Sequence, residues 1–131
     1  MEKNDIKYLI ELCHDKVLEE YGIDMKVISQ DAQSDDEYDL LINGTPAGMY
    51  PKFINDLPAN EKLIKNCKNV FDAVYNPNET VLLSEAIKAG AKPVYGIKML
   101  LYQGAESFEI WTGRKAPIDV MHDALTKTLG L

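Results

Sequence analysis

NVFDAVYNPNETVLLSEAIKAGAKPVYGIKMLLYQGAESFEIWTG, residues 69–113, is the stretch that decides the fold of this chain. It opens with a short apolar strand at 70–74 that ends at Tyr75 and a turn on Asn76-Pro77-Asn78. Thr80 then caps a helix that stops at Gly90, and a second strand at 93–95 runs into Gly96 and a long helix. Strand, helix, strand and helix in alternation predict a doubly wound α/β sheet. Ligands bind such sheets where strands end and helices begin, which puts Tyr75 and Gly96 at the expected binding edge. The long helix carries two apolar stripes. Ile97, Leu100, Leu101, Phe108 and Trp111 form one, and Met99, Gln103, Glu106 and Ile110 the other. A helix with two such stripes needs partners on two sides.

Upstream, residues 5–21 place Ile6, Leu9, Ile10, Cys13, Val17 and Tyr21 at the spacing of one buried helical face, with Asn4 as N-cap and Gly22 past the end. Residues 24–29 read as a strand with Met25, Val27 and Ile28 as its apolar positions, and 30–37 as a polar, acidic connection. Asp31, Asp35, Asp36 and Glu37 in that connection lack the glycine turn and spacing of a calcium loop, so a solvated loop is expected. Residues 38–42 are a continuous apolar run of the kind buried in parallel sheets, and they feed Asn43-Gly44-Thr45-Pro46-Ala47-Gly48. Small residues there leave backbone amides open to a ligand. A longer loop holds Pro51 and Pro58, a short helix follows near 60–66, and a carboxy-terminal helix begins at Pro117 with Ile118, Met121, Ala124, Leu125 and Leu129 as its stripe. The predicted architecture is a partial doubly wound sheet of about four strands with flanking helices and two carboxy-terminal helices.

At 131 residues the chain is long enough for a domain with a real core, and 46% hydrophobic with 27% charged residues is an ordinary globular composition. A net charge of −7, with acids in both halves, argues against a general nucleic-acid binder, which needs a basic stripe. Cys13 and Cys67 are the only cysteines, and no secretory signal precedes them, so reduced thiols in the cytoplasm are expected. His14 and His122 have no ligand partners at metal spacing, and no apolar run approaches a membrane span, so neither a metal site nor a membrane is expected.

Four blocks in order are more specific. D-A-V-Y-N-P-N-E-T, G-I-K-M-L-L-Y-Q-G-A and F-E-I-W-T-G resemble the carboxy-terminal part of shikimate dehydrogenase, and Y-D-L-L-I-N-G-T-P-A-G-M-Y-P resembles that family's N-A-T-x-x-G-M loop. The resemblance implies a Rossmann-like fold and an NADP-dependent interconversion of 3-dehydroshikimate and shikimate in aromatic amino-acid biosynthesis. By the same resemblance, Thr45, Ala73, Gly96 and Met99 line the NADP side, and Tyr75 and Gln103 contact the shikimate-like substrate. Ala73 stands where the family often has a methionine at the cofactor, and Gly44 where it usually has alanine. Gly96, Met99 and Gln103 fall at i, i+3 and i+7, on one helical face. Lys98 lies off that face and reads as a surface residue. Residues 1–95 would then be an incomplete NADP-binding domain, and 96–131 the helices that pack on the family's amino-terminal substrate domain.

The family's other parts are not in this sequence. There is no G-x-G-x-x-G turn, no basic motif for a ribose phosphate, and no match to the lysine and aspartate that move the proton. No catalytic residue is assigned. Met1 falls just before what reads as the helix after the family's second strand, which would deprive strand 24–29 of its neighbour. The expected function is the carboxy-terminal portion of a shikimate dehydrogenase, inactive alone. The alternatives are a non-catalytic binding or assembly module and one half of a split enzyme. Two surfaces without partners also predict a homo-oligomer, or a union with the missing amino-terminal half.

Overall fold

The computed structural model describes residues 15–28 and 35–131. Residues 15–21 are helical and are labelled α1. The elements that follow are β1 (Tyr38–Asn43), α2 (Glu61–Lys65), β2 (Cys67–Asp72), α3 (Val81–Lys88), β3 (Lys92–Tyr95), α4 (Ile97–Thr112) and α5 (Ile118–Leu129). The strands form one parallel sheet in the order β1-β2-β3, with Leu41 opposite Val70 and Val70 opposite Pro93. The mixed α/β, Rossmann-like class expected from the sequence is the class observed.

Short parallel strands hold only if a face is buried, and α2 and α3 supply the cover. Leu63 and Ile64 of α2, Leu82, Leu83 and Ala86 of α3, and Val70 of β2 are all buried and form one cluster with Ala59, Cys67 and Ala91. Each helix starts where its cap predicts. The Asn60 side chain accepts from Leu63 N–H at 2.9 Å, and Thr80 Oγ1 accepts from Leu83 N–H at 3.3 Å. Cys67 donates its thiol to the Leu63 carbonyl at 3.0 Å, and burial pushes that thiol up from its ordinary pKa.

Three expectations are corrected. Residues 24–28 form no strand, and Ser29 lies outside the described residues, so three strands are described where about four were expected. A strand persists through its ladder, and this segment has none. Ile28 packs against the core cluster instead, while Lys26 is exposed and pairs with Asp36 at 3.6 Å. In α1 the expected stripe is not fully buried at its described end, where Val17 is half-buried and Tyr21 is 70% exposed. The helix does stop as predicted, with Gly22 at φ +66° and its N–H donating to the Leu18 carbonyl at 2.9 Å. Asn4 and the earlier stripe residues, Cys13 included, lie outside the described residues.

The third correction concerns α4. Leu101 and Ala105 are buried, yet Trp111, assigned to the same stripe, is 82% exposed. It sits in the last turn of α4. The second stripe has no partner among the described residues, with Met99 and Ile110 both exposed. α4 and α5 pack on each other, and Glu109 closes their turn by accepting from Ala116 N–H at 2.9 Å.

Gly96 joins this helical pair to the sheet. A Cβ placed there would lie 2.5 Å from the Asp72 carbonyl oxygen and 2.7 Å from that of Ala73. Both are backbone atoms and cannot turn aside. At Gly44, by contrast, a Cβ would meet nothing within 4 Å, and no positive φ is present. Gly96→Ala is therefore expected to destabilise the fold by about 1–3 kcal/mol. Gly44→Ala should be neutral or gain about 0.4–1 kcal/mol from a stiffer unfolded chain. Urea unfolding of the two variants checks the contrast.

Candidate functional site

The carboxyl ends of β1 and β2 meet at one buried carboxylate. Asp72, the last residue of β2, is fully buried. Its Oδ1 accepts from Asn43 Nδ2 at 3.0 Å and from Val74 N–H at 3.0 Å, and its Oδ2 accepts from Thr80 Oγ1 at 2.6 Å. Asn43, the last residue of β1, extends the network into the next loop. Its Oδ1 accepts from Thr45 N–H at 3.0 Å and from Thr45 Oγ1 at 2.7 Å, while its Nδ2 also donates to the Ala47 carbonyl at 3.2 Å. The loop after β1, the loop after β2 and the start of α3 are thus tied to one side chain. The two loops meet again where Tyr50 N–H donates to the Asn76 carbonyl at 2.9 Å.

Between these loops lies an open cleft of about 420 Å³, lined by Gly44, Thr45, Pro46, Met49, Tyr50, Ala73, Val74, Tyr75 and Asn76. Three of the six residues singled out from the sequence, Thr45, Ala73 and Tyr75, therefore share one wall. Gly96 adjoins it from behind, because its backbone rests on Ala73. Met99 and Gln103 do not line the cleft; both are exposed on α4, on the side that begins at Gly96. Lys98 is exposed, as read from the sequence. No group of three or more metal-ligating side chains occurs among the described residues, and none of their helices is long and apolar enough to cross a membrane.

The chemistry of the wall follows from its bonds. Thr45 Oγ1 spends its proton on Asn43 and accepts from Ala47 N–H at 3.3 Å, leaving one lone pair and a methyl for a ligand. Ala73, with its N–H donated to the Asn43 carbonyl at 3.0 Å, offers a flat apolar surface. Such a wall suits the face of a ring with a donating substituent, and the lining holds no lysine or arginine for a phosphate.

Asn43 and Asp72 are the functional-region residues that pattern reading missed. The signal was present: an acid inside the apolar run Val70-Phe71-Asp72-Ala73-Val74 has to be paired if it is buried.

With that geometry in place, the likeness to known proteins is informative. Residues 96–126 match the Shikimate 5'-dehydrogenase C-terminal domain family. The "Shikimate dehydrogenase (NADP(+))" of Methanobrevibacter smithii is 64% identical over 93 residues, covering 71% of this chain and 33% of that enzyme. This chain matches the carboxy-terminal portion of the shikimate dehydrogenases. A crystal structure of a shikimate dehydrogenase in complex with NADP+ superimposes with a TM-score of 0.64 at 43% identity, over 70% of this chain and 32% of that one. A chorismate mutase/shikimate 5-dehydrogenase fusion protein from Clostridium acetobutylicum gives a TM-score of 0.71 at 36% identity, over 89% and 43%. The chain thus spans less than half the length of each of these shikimate dehydrogenase relatives.

The network predicts its own weak point. Thr80→Val keeps the shape but removes both the α3 cap and the proton given to Asp72. It should cost about 2–4 kcal/mol, from about 1 for the cap and about 1–3 for the orphaned oxygen. Thr80→Ser should recover most of that loss. Chemical unfolding with tryptophan fluorescence or circular dichroism measures both.

Proposed function

We propose that this chain supplies the carboxy-terminal portion of an NADP-dependent shikimate dehydrogenase site and does not complete the reaction unaided. The observation that carries the reading is the cleft that gathers Thr45, Ala73 and Tyr75 at the carboxyl ends of β1 and β2, where a doubly wound sheet binds its ligands. Residues 1–95 then contribute part of the cofactor domain, and 96–131 the helical pair that meets the substrate domain. The setting is cytoplasmic.

In this reading NADP, when bound, supplies or receives the hydride. Thr45 and Ala73 form part of the wall for its reactive end, with Gly96 and Met99 continuing that wall onto α4. Tyr75 and Gln103 hold hydroxyl groups of the shikimate-like substrate from two directions and fix which ring carbon faces the cofactor. The proton-transfer lysine and aspartate and the phosphate-binding turn belong to the portion of the family fold that this chain does not match. A homo-oligomer through the unpartnered surfaces is the alternative to union with that portion.

The purified chain is expected to show no NADP-dependent oxidation of shikimate above background, checked by absorbance at 340 nm. Turnover by this chain with no second polypeptide present would overturn the reading. In an enzyme reconstituted with the missing portion, Gln103→Ala should weaken substrate binding by about 1–3 kcal/mol through a lost hydrogen bond. Lys98→Ala should change it little. Steady-state KM and kcat for the two variants separate these outcomes.

A further inference from the structure

Two backbone groups fix how the Asn43 carboxamide lies, and that in turn fixes what the Thr45 hydroxyl can offer. On one side of the carboxamide stands the Ala47 carbonyl at 3.2 Å, which can only accept. On the other stands the Thr45 N–H at 3.0 Å, which can only donate. The amide nitrogen therefore faces Ala47 and the amide oxygen faces Thr45. Asp72 Oδ1 reinforces the choice, since it accepts from Val74 N–H and from Asn43 Nδ2, both at 3.0 Å. With the amide oxygen 2.7 Å away, Thr45 Oγ1 has to donate its single proton there, because a carbonyl oxygen has none to give. Ala47 N–H occupies one of its lone pairs at 3.3 Å. What remains is one lone pair on an exposed side chain that lines the cleft.

We propose that Asn43 and Asp72 are specificity-determining positioning residues. They hold Thr45 as an acceptor-only group, so the cleft selects a ring that bears an N–H donor over one of the same charge and similar shape that bears only a carbonyl. The inference rests on the NADP-dependent reading of the chain and deepens it: the group selected is the primary carboxamide of the nicotinamide ring. Asn43 is 4% exposed and Asp72 fully buried, so both act through Thr45.

The sign of the preference follows from the cost of a mismatch. A ligand carbonyl set against the free lone pair places two acceptors together. The hydroxyl can turn to meet it only by giving up its 2.7 Å bond to Asn43. The Asn43 amide cannot turn over to help. Its two protons are placed on Asp72 and Ala47, and a flip would set like groups against each other on both sides. An unanchored hydroxyl would instead rotate and serve either ligand. A site with a fixed hydrogen-bonding group rejects an analogue that lacks the partner more sharply than an apolar pocket rejects one by size. The lining around Thr45 adds no competing charge, since Gly44, Pro46, Met49, Ala73 and Val74 carry none.

The test is an amide NMR titration of this chain with NADP+ and with its acetylpyridine analogue, in which a methyl ketone replaces the carboxamide. Shifts of the Thr45, Ala73 and Tyr75 signals report binding at the cleft. NADP+ is expected to bind about fivefold or more tightly than the analogue. Thr45→Val, at an exposed position, should bring the ratio close to one, and Thr45→Ser should keep it. Asn43→Ala should level the two ligands even though the Thr45 hydroxyl is still present, a change that a role in stability alone would not produce. Circular dichroism confirms the fold of each variant. If Asn43→Ala does not fold, the preference of the unmutated chain and its loss in Thr45→Val decide the matter. Equal binding of the two ligands overturns the inference and leaves the cofactor reading standing. A preference that survives Thr45→Val or Asn43→Ala has the same consequence. If neither ligand moves the three signals, the inference and the cofactor reading fall together.

Discussion

Burying a carboxylate without partners costs several kcal/mol, and the loops of this protein are arranged so that Asp72 does not incur it. Its two oxygens receive an amide side chain from β1, a backbone N–H from the β2 loop and the hydroxyl that caps α3. Each donor belongs to a different segment, so the carboxylate sets the relative positions of the end of β1, the loop after β2 and the start of α3. The residue that caps a helix thereby also fixes the floor of a cleft. Gly96 adds a fourth section, because its missing side chain lets the entry to α4 rest on the carbonyls of Asp72 and Ala73. The end of β2 is in this sense the hub of the molecule.

Much of this fold was legible because the signals were local. Thr80 and Asn60 cap the helices that follow them, Gly22 ends α1, and the alternation from 69 to 113 yields the observed order of strands and helices. What failed depended on partners. Met25, Val27 and Ile28 have the composition of a strand, yet composition supplies no ladder. Trp111 has the spacing of a core residue, yet nothing among the described residues buries it. Pattern reading reports what a segment can bury, and the neighbouring elements decide whether it does.

The site was legible in a different way. Thr45, Ala73 and Tyr75 came from motif likeness, and the structure brings them to one cleft for a reason that motifs do not state: two loops are tied to Asp72. Met99 and Gln103 lie apart on α4, with outward faces that the described residues leave uncovered. Asn43 and Asp72 passed unremarked because a polar residue inside an apolar run reads as an interruption. Its importance emerges only once burial turns hydrogen bonding from an option into a requirement.

The Asn43 side chain holds both Thr45 and Ala47 before any ligand arrives. A loop of small residues would otherwise sample many conformations and would have to be frozen upon association. Here that ordering is completed during folding and is shared with the core, so a molecule entering the cleft meets a surface whose conformational entropy has already been surrendered. Loops of this kind contribute to affinity through the freedom they no longer have to lose, and a relaxed Asn43 would show itself in the entropy of binding before it altered any contact.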